Sequence, residues 1–283
     1  MRACGMTKKP ADLGIERSLR YVTSRQCRNG GFCFYRTEYL EEPNLYDTFY
    51  AIASYRLMEK VAPDRDRVVD FLQSAASYGS QSTYLYYSAL GMRLLEGPGP
   101  NPEMRRRISQ LHVRPLWSDD HRSISSWLEE AWMIVKLKKT FEEVADTKMV
   151  QRVIQDLRSG RYPDYRPNLM DGYLMLRILA EIDRLREAVD LVRFIDGLQA
   201  PSLGFKVTDT SATINVDVLY AGVFSCATGG IPVRHAQDIL GHVLGSQTQN
   251  GGFARAPGAA SDLQSNYKGL WILRYLLDQA CRP

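Results

Sequence analysis

Q-C-R-N-G-G-F, Gln26–Phe32, returns near the other end of the chain as Q-T-Q-N-G-G-F, Gln247–Phe253, about 220 residues later. Asn-Gly and Gly-Gly supply backbone that tolerates positive φ, so each phrase reads as a turn of fixed shape. Each also follows one helix-like stretch and precedes another. Two copies of one turn make internal repetition the first thing to look for.

Continuing rightward from both turns aligns P-N-L-Y-D-T-F-Y-A-I-A-S-Y-R-L (Pro43–Leu57) with S-D-L-Q-S-N-Y-K-G-L-W-I-L-R-Y-L (Ser261–Leu276). Both carry apolar residues at helical spacing. P-N-L-M-D-G-Y-L-M-L-R-I-L (Pro167–Leu179) repeats the P-N-L-x-D of the first. T-I-N-V-D-V-L-Y-A-G-V (Thr213–Val223) follows Gly204-Phe205, with Gln199 six residues before the Phe. Weaker copies are S-T-Y-L-Y-Y-S-A-L (Ser82–Leu90) and S-S-W-L-E-E-A-W-M (Ser125–Met133).

With Asp47 as the register mark, its counterparts are Tyr84, Trp127, Asp171, Asp217 and Ser265, at intervals of about 37 to 48 residues. Six helix–turn–helix units result, spanning 11–60, 61–97, 101–140, 146–184, 186–230 and 232–280, and no segment alternates like a strand. Each unit has one amphipathic helix and one nearly apolar helix, so it cannot bury itself alone. The apolar second helices suit an inner ring buried on both sides. The expectation is an all-α fold, an (α/α)6 toroid forming one domain over 1–283.

Hydrophobic residues make up 45% of the 283 and charged residues 24%, enough for a sizeable core. A net charge of +4, with Lys and Arg dispersed, gives no nucleic-acid footprint. Cys4, Cys27, Cys33, Cys226 and Cys281 form no paired framework, which fits a reducing compartment. No apolar run is long enough for a membrane span and the N-terminus lacks a signal-peptide core. A cytoplasmic protein without a transmembrane segment is expected.

The turn phrase, the six-fold count and the aromatic second helices resemble the α/α-toroid superfamily of terpenoid cyclases and protein prenyltransferase β subunits. There, Q-x-x-N/D-G-G-F/W marks the turn between outer and inner helices. In the prenyltransferases, residues at the marked register supply zinc ligands: two from D-x-C in the fifth repeat and a His in the sixth. This chain has Asp217-Val218-Leu219 and Ser265 instead. One carboxylate cannot make a zinc site, which needs at least three protein ligands, so no metal and no cofactor are expected. Cationic groups for a diphosphate are implied in the third and fourth repeats, where Trp127 and Asp171 stand. Acid-initiated cyclases use the middle Asp of D-x-D-D. The nearest text, K-V-T-D-T-S-A (Lys206–Ala212), keeps only Asp209, and Asp119-Asp120 do not extend to D-D-x-x-D.

What the resemblance implies is an isoprenoid-handling protein, with acid-initiated cyclase-type chemistry on a polyprenyl substrate in a central aromatic cavity. Asp217 would give the proton, with Asp47 and Asp171 as neighbouring acids that tune it. The lining would come from Tyr46, Phe49, Tyr50, Tyr84, Trp127, Tyr173, Tyr220, Ser265 and Tyr267, with Tyr86, Tyr87, Trp132 and Trp271 nearby. Ring faces attract cations. An isoprenoid or other hydrophobic small molecule is the expected partner, and a second subunit or a homo-oligomer could complete the cavity.

Plainer readings stand beside these. Aromatic residues at helical spacing are also core packing. Asn44-x-x-Asp47 and Asn168-x-x-Asp171 read as a helix cap followed by an acid in the first turn; Asp217 has Ile214 three residues before it, which cannot cap. His235 and His242 read as surface of an outer helix, and Trp117–His121 as a loop. Two other functions remain open: a non-catalytic toroid that binds a lipid or a partner, and a carbohydrate-active (α/α)6 enzyme with paired carboxylates.

Overall fold

A computed structural model describes residues 4–36, 39–77, 82–97, 99–116, 123–143, 147–158 and 165–280. Twelve α-helices alternate between two layers among the described residues. The outer helices are α1 (Cys4–Ser24), α3 (Arg65–Ser77), α5 (Pro102–Ser109), α7 (Thr147–Arg158), α9 (Val189–Gly197) and α11 (Ala236–Gly245). The inner helices are α2 (Leu45–Leu57), α4 (Ser82–Leu94), α6 (Ile124–Thr140), α8 (Leu169–Glu181), α10 (Val216–Gly229) and α12 (Leu263–Ala280). Each inner helix packs on the next, and α12 returns to α2 and α1. The ring is closed.

Local chemistry sets the ends of the inner helices. Asn44, Asn168 and Asn215 each accept a backbone N–H three residues on, from Asp47, Asp171 and Val218, and Ser123 does the same for Ser126. These side chains satisfy donors that the first turn leaves without partners. At the other end α2, α4, α6, α8 and α10 are followed by a residue in the left-handed region: Glu59, Glu96, Glu142, Asp183 and Gly230. The next N–H then reaches back to close the helix, as in Lys60 to Tyr55 (2.9 Å) and Arg184 to Leu179 (2.8 Å).

The repeated turn phrase works as a brace between neighbouring repeats. Gln26 donates to the carbonyl of Pro63 ahead of α3, and Gln199 to that of Pro232 ahead of α11. Gln247 donates to Gly14 in α1, so the same contact closes the ring. Asn29 and Asn250 accept the N–H of Gly31 and Gly252. Gly30 and Gly251 have φ of 90° and 94°, and a Cβ there would lie 2.5 Å or less from the Arg67 backbone and 2.5 Å from the Arg17 carbonyl. Glycine is required twice over, by conformation and by space. The Phe that ends each phrase is fully buried, and Phe253 rests on Gly269 of its own inner helix as Phe205 rests on Gly222.

The sequence gives no strand period, yet the fifth turn holds a two-residue antiparallel pair, Gln199–Ala200 with Gly204–Phe205. Single bridges join Gln26 to Phe32 and Gln247 to Phe253. All three are one turn type, too short to show alternation. No helix among the described residues is long and apolar enough to cross a membrane.

Candidate functional site: a central aromatic cavity

Counting along each inner helix from its first residue shows which side chains meet at the ring's axis. The fifth residues are Phe49, Tyr86, Leu128, Tyr173, Tyr220 and Tyr267, and all but Leu128 line a chamber of about 270 Å³. The ninth residues are Ala53, Leu90, Trp132, Arg177, Phe224 and Trp271, and all six line a second chamber of about 550 Å³. Phe49, Tyr86, Trp132, Arg177 and Tyr267 belong to both, so they divide one central passage.

The rings touch one another around this passage. Tyr50 lies 5.6 Å from Tyr267 and Tyr86 lies 5.0 Å from Trp132 between centroids. Tyr220 meets Trp271 edge-on at 5.3 Å. Burial pushes the hydroxyls of Tyr50, Tyr86, Tyr173, Tyr220 and Tyr267 above the ordinary tyrosine pKa, so they stay neutral donors. The lining is largely aromatic with hydroxyl tips, joined by charged groups such as Arg177, Glu129 and Lys268, and such a wall can hold a hydrophobic molecule oriented by a few polar contacts.

Among the expected lining residues, Phe49, Tyr50, Tyr173, Tyr220 and Tyr267 stand on the chamber walls. Tyr46 lies exposed at the rim, edge-on to Tyr50 and Tyr87. Tyr84, at 41% exposure, faces away from both chambers. Trp127 is buried between the layers, where its Nε1–H donates to the Arg114 carbonyl at 2.6 Å. Ser265 donates to Asp262, the residue preceding α12.

The register explains Trp127. With Ser123 as the cap, the third residue of α6 is Ser126, and Trp127 is the fourth. Fourth residues point to the outer layer: Thr48 accepts the Phe32 N–H, and Asn266 accepts the Phe253 N–H. Asp217 slips the other way. Asn215 caps α10, so Val218 matches Asp47 and Asp217 is one residue early.

None of the three aspartates lines either chamber. Asp47 accepts from the Phe34 N–H and from Asn44 Nδ2, at 2.9 and 2.7 Å. Its burial raises the carboxyl pKa, and those two bonds oppose the rise. Asp171 accepts from Ser125 Oγ, Tyr165 OH and Asn168 Nδ2. Both carry the cap-and-acid arrangement of a first turn. Asp217 is held by Lys268 Nζ at 2.7 Å and Arg255 Nε at 2.8 Å.

Zinc does not fit this register. Leu219 offers only carbon and is buried against the outer layer, Ser265 is committed to Asp262, and Asp217 to two cations. Among the described residues no three His, Cys, Asp or Glu side chains converge. His242 lies on α11, bonded to the Ser202 carbonyl, with His235 just ahead of that helix. Trp117 and Asp119–His121 lie outside the described residues.

Arg177 is the cavity residue that periodicity does not reveal. Its guanidinium carbon lies 3.4 Å from the Trp132 ring centroid and 5.1 Å from that of Tyr173, whose hydroxyl accepts from Nη1 at 2.5 Å. The signal was present in Leu176-Arg177-Ile178: a lone charge at the ninth place, where the other five inner helices carry an alanine, a leucine or an aromatic ring.

A family model described as the prenyltransferase alpha-alpha toroid domain matches residues 1–80 and 73–281. A search of curated proteins gives no match.

Proposed function

This chain belongs to the prenyltransferase α/α-toroid family, and we propose from that premise that its central cavity binds a hydrophobic chain, of isoprenoid type or similar, without zinc chemistry. The observation that carries the proposal is the belt of aromatic rings, bridged between Trp132 and Tyr173 by Arg177, that walls two adjoining chambers on the ring's axis. The larger, of about 550 Å³, lies in the range of small-molecule sites by itself, and the smaller holds about 270 Å³. Each methylene taken from water into such a lining contributes about 0.8 kcal/mol.

Binding is favoured over acid-initiated cyclisation for two reasons. The candidate acids Asp217, Asp47 and Asp171 line neither chamber and are engaged by other groups, Asp171 by Ser125 and Asp217 by Lys268 of the smaller chamber's wall. Arg177 also occupies the Trp132 face that could attract a carbocation. At about 6 Å and an effective dielectric constant near 20, two unit positive charges repel by about 3 kcal/mol. A cavity with a resident cation is a poor host for a second.

Thermal unfolding with geranylgeraniol, squalene and geranylgeranyl diphosphate tests the reading. A ligand at a hundred times its Kd adds about 2.7 kcal/mol of stability. A raised unfolding temperature with at least one of these chains is expected. No shift with any of them, nor with a saturated chain of similar length, would contradict the proposal.

A further inference from the structure

Arg177 lines both chambers and forms no ion pair with another described residue. The other basic groups of the passage are matched or hydrated. Lys268 is held by Asp217, Lys136 by Glu181 at 2.8 Å, and Arg56 by Glu96 at 3.1 Å, while Arg93 lies exposed at the outer mouth. Glu129 lines the smaller chamber without forming an ion pair to Arg177. Arg177 is half-buried, so it bears part of the several kcal/mol that a guanidinium fully withdrawn from water without a counter-charge costs.

A donor without a partner lies beside Arg177. Trp132, 7% exposed and directly beneath the guanidinium, has an Nε1–H with no acceptor. Buried donors without partners are rare, and each leaves about 1–3 kcal/mol unrecovered. Beside Arg177 the acceptor at hand is the neutral Tyr173 hydroxyl, which brings no counter-charge. An anionic oxygen on Arg177 would supply the counter-charge that is missing there.

We propose that the ligand of this cavity is a long-chain monocarboxylate, its tail among the aromatic rings and its carboxylate on Arg177. The proposal rests on the hydrophobic-chain reading and adds the charge of the head group. One planar guanidinium matches one carboxylate by two parallel hydrogen bonds, charge for charge. A diphosphate brings more negative charge than one guanidinium can balance, and the neighbouring lysines already serve Asp217 and Glu181. The excess would have only the exposed Arg93 at the outer mouth left to meet it.

Calorimetric titration of the full chain with palmitate, hexadecanol and geranylgeranyl diphosphate tests this, using wild type and Arg177→Gln. Palmitate is expected to bind wild type at least about tenfold more tightly than hexadecanol, and about equally in the variant. Equal affinities of acid and alcohol in wild type would overturn the anionic head and leave the hydrophobic-chain reading intact. Tighter binding of the diphosphate than of palmitate would overturn the choice of carboxylate. Failure of all three ligands to bind would remove the hydrophobic-chain reading itself. If Arg177→Gln does not fold, the wild-type comparison decides alone.

Discussion

The side-chain amide of Gln247 donates to the carbonyl of Gly14 at 2.8 Å, joining the last turn of the chain to its first helix. Gln26 and Gln199 make the corresponding bond to the repeat that follows each in sequence. For Gln247 the following repeat is the first one. A local turn motif therefore carries the information for ring closure. Gln247 also donates to the Gly251 carbonyl. Gln247→Ala is expected to cost about 1–3 kcal/mol, because two partly buried acceptors lose their donor. Urea unfolding checks this, and an unchanged midpoint would show that closure depends on packing alone.

Gly251 and Gly258 separate two reasons for glycine. Both have positive φ, at 94° and 81°, but a Cβ at Gly258 would meet nothing within 4 Å. Gly258→Ala should cost about 1–2 kcal/mol, the strain of a left-handed residue. Gly251→Ala should cost clearly more, since its Cβ would lie 2.5 Å from the Arg17 carbonyl. Equal losses in parallel denaturant curves would contradict the close approach of turn and first helix.

Asp217 offers a test of catalysis against architecture. Its side chain is 17% exposed and that of Lys268 13%. Asp217→Asn removes the partner of a mostly buried ammonium, which is expected to destabilise the fold by about 2–4 kcal/mol. Adding Lys268→Met should recover most of that loss. A stable Asp217→Asn protein with normal ligand binding and altered turnover would instead mark the group as catalytic.

The toroid was legible because its signals are local and repeated. Asn-Gly-Gly needs a particular backbone, Pro-Asn-Leu-x-Asp carries its own cap, and apolar residues recur with the helical period. Exact register was harder. The cap of α10 is Asn215 rather than the residue three before Asp217, and one misplaced cap rotates a helix by about 100°. That is enough to place Trp127 between layers, while Asp47 and Asp171, which keep the expected register, also lie off the axis. The pairing of Arg177 with Trp132 joins α8 to α6, so no spacing within one helix could disclose it.

The cysteines give a prediction that does not depend on a ligand. Burial, with Cys33 beside it at 3.1 Å, pushes the Cys27 thiol up to about 12, and burial pushes that of Cys226 up to about 12. The thiolate is the reactive form, so at pH 8 both thiols should be nearly inert to iodoacetamide in the folded protein. Adding denaturant should make both label rapidly. Mass spectrometry of the labelled peptides reads the outcome, and fast modification of Cys27 in the native state would contradict the packing of the first turn.

The central claim, that the ring's axis holds a hydrophobic chain, is tested most directly by energy transfer to a fluorescent one. Parinaric acid is titrated into the wild-type chain and into Ala53→Phe, with excitation of the tryptophans. Trp132 and Trp271 lie on the chamber wall, and Ala53 lies at the same level of the ring. Saturable transfer at one polyene per chain is expected for wild type, with little or none in Ala53→Phe while its helical signal is unchanged. Transfer of equal strength in both proteins, or none in wild type, would place any ligand elsewhere and contradict the account.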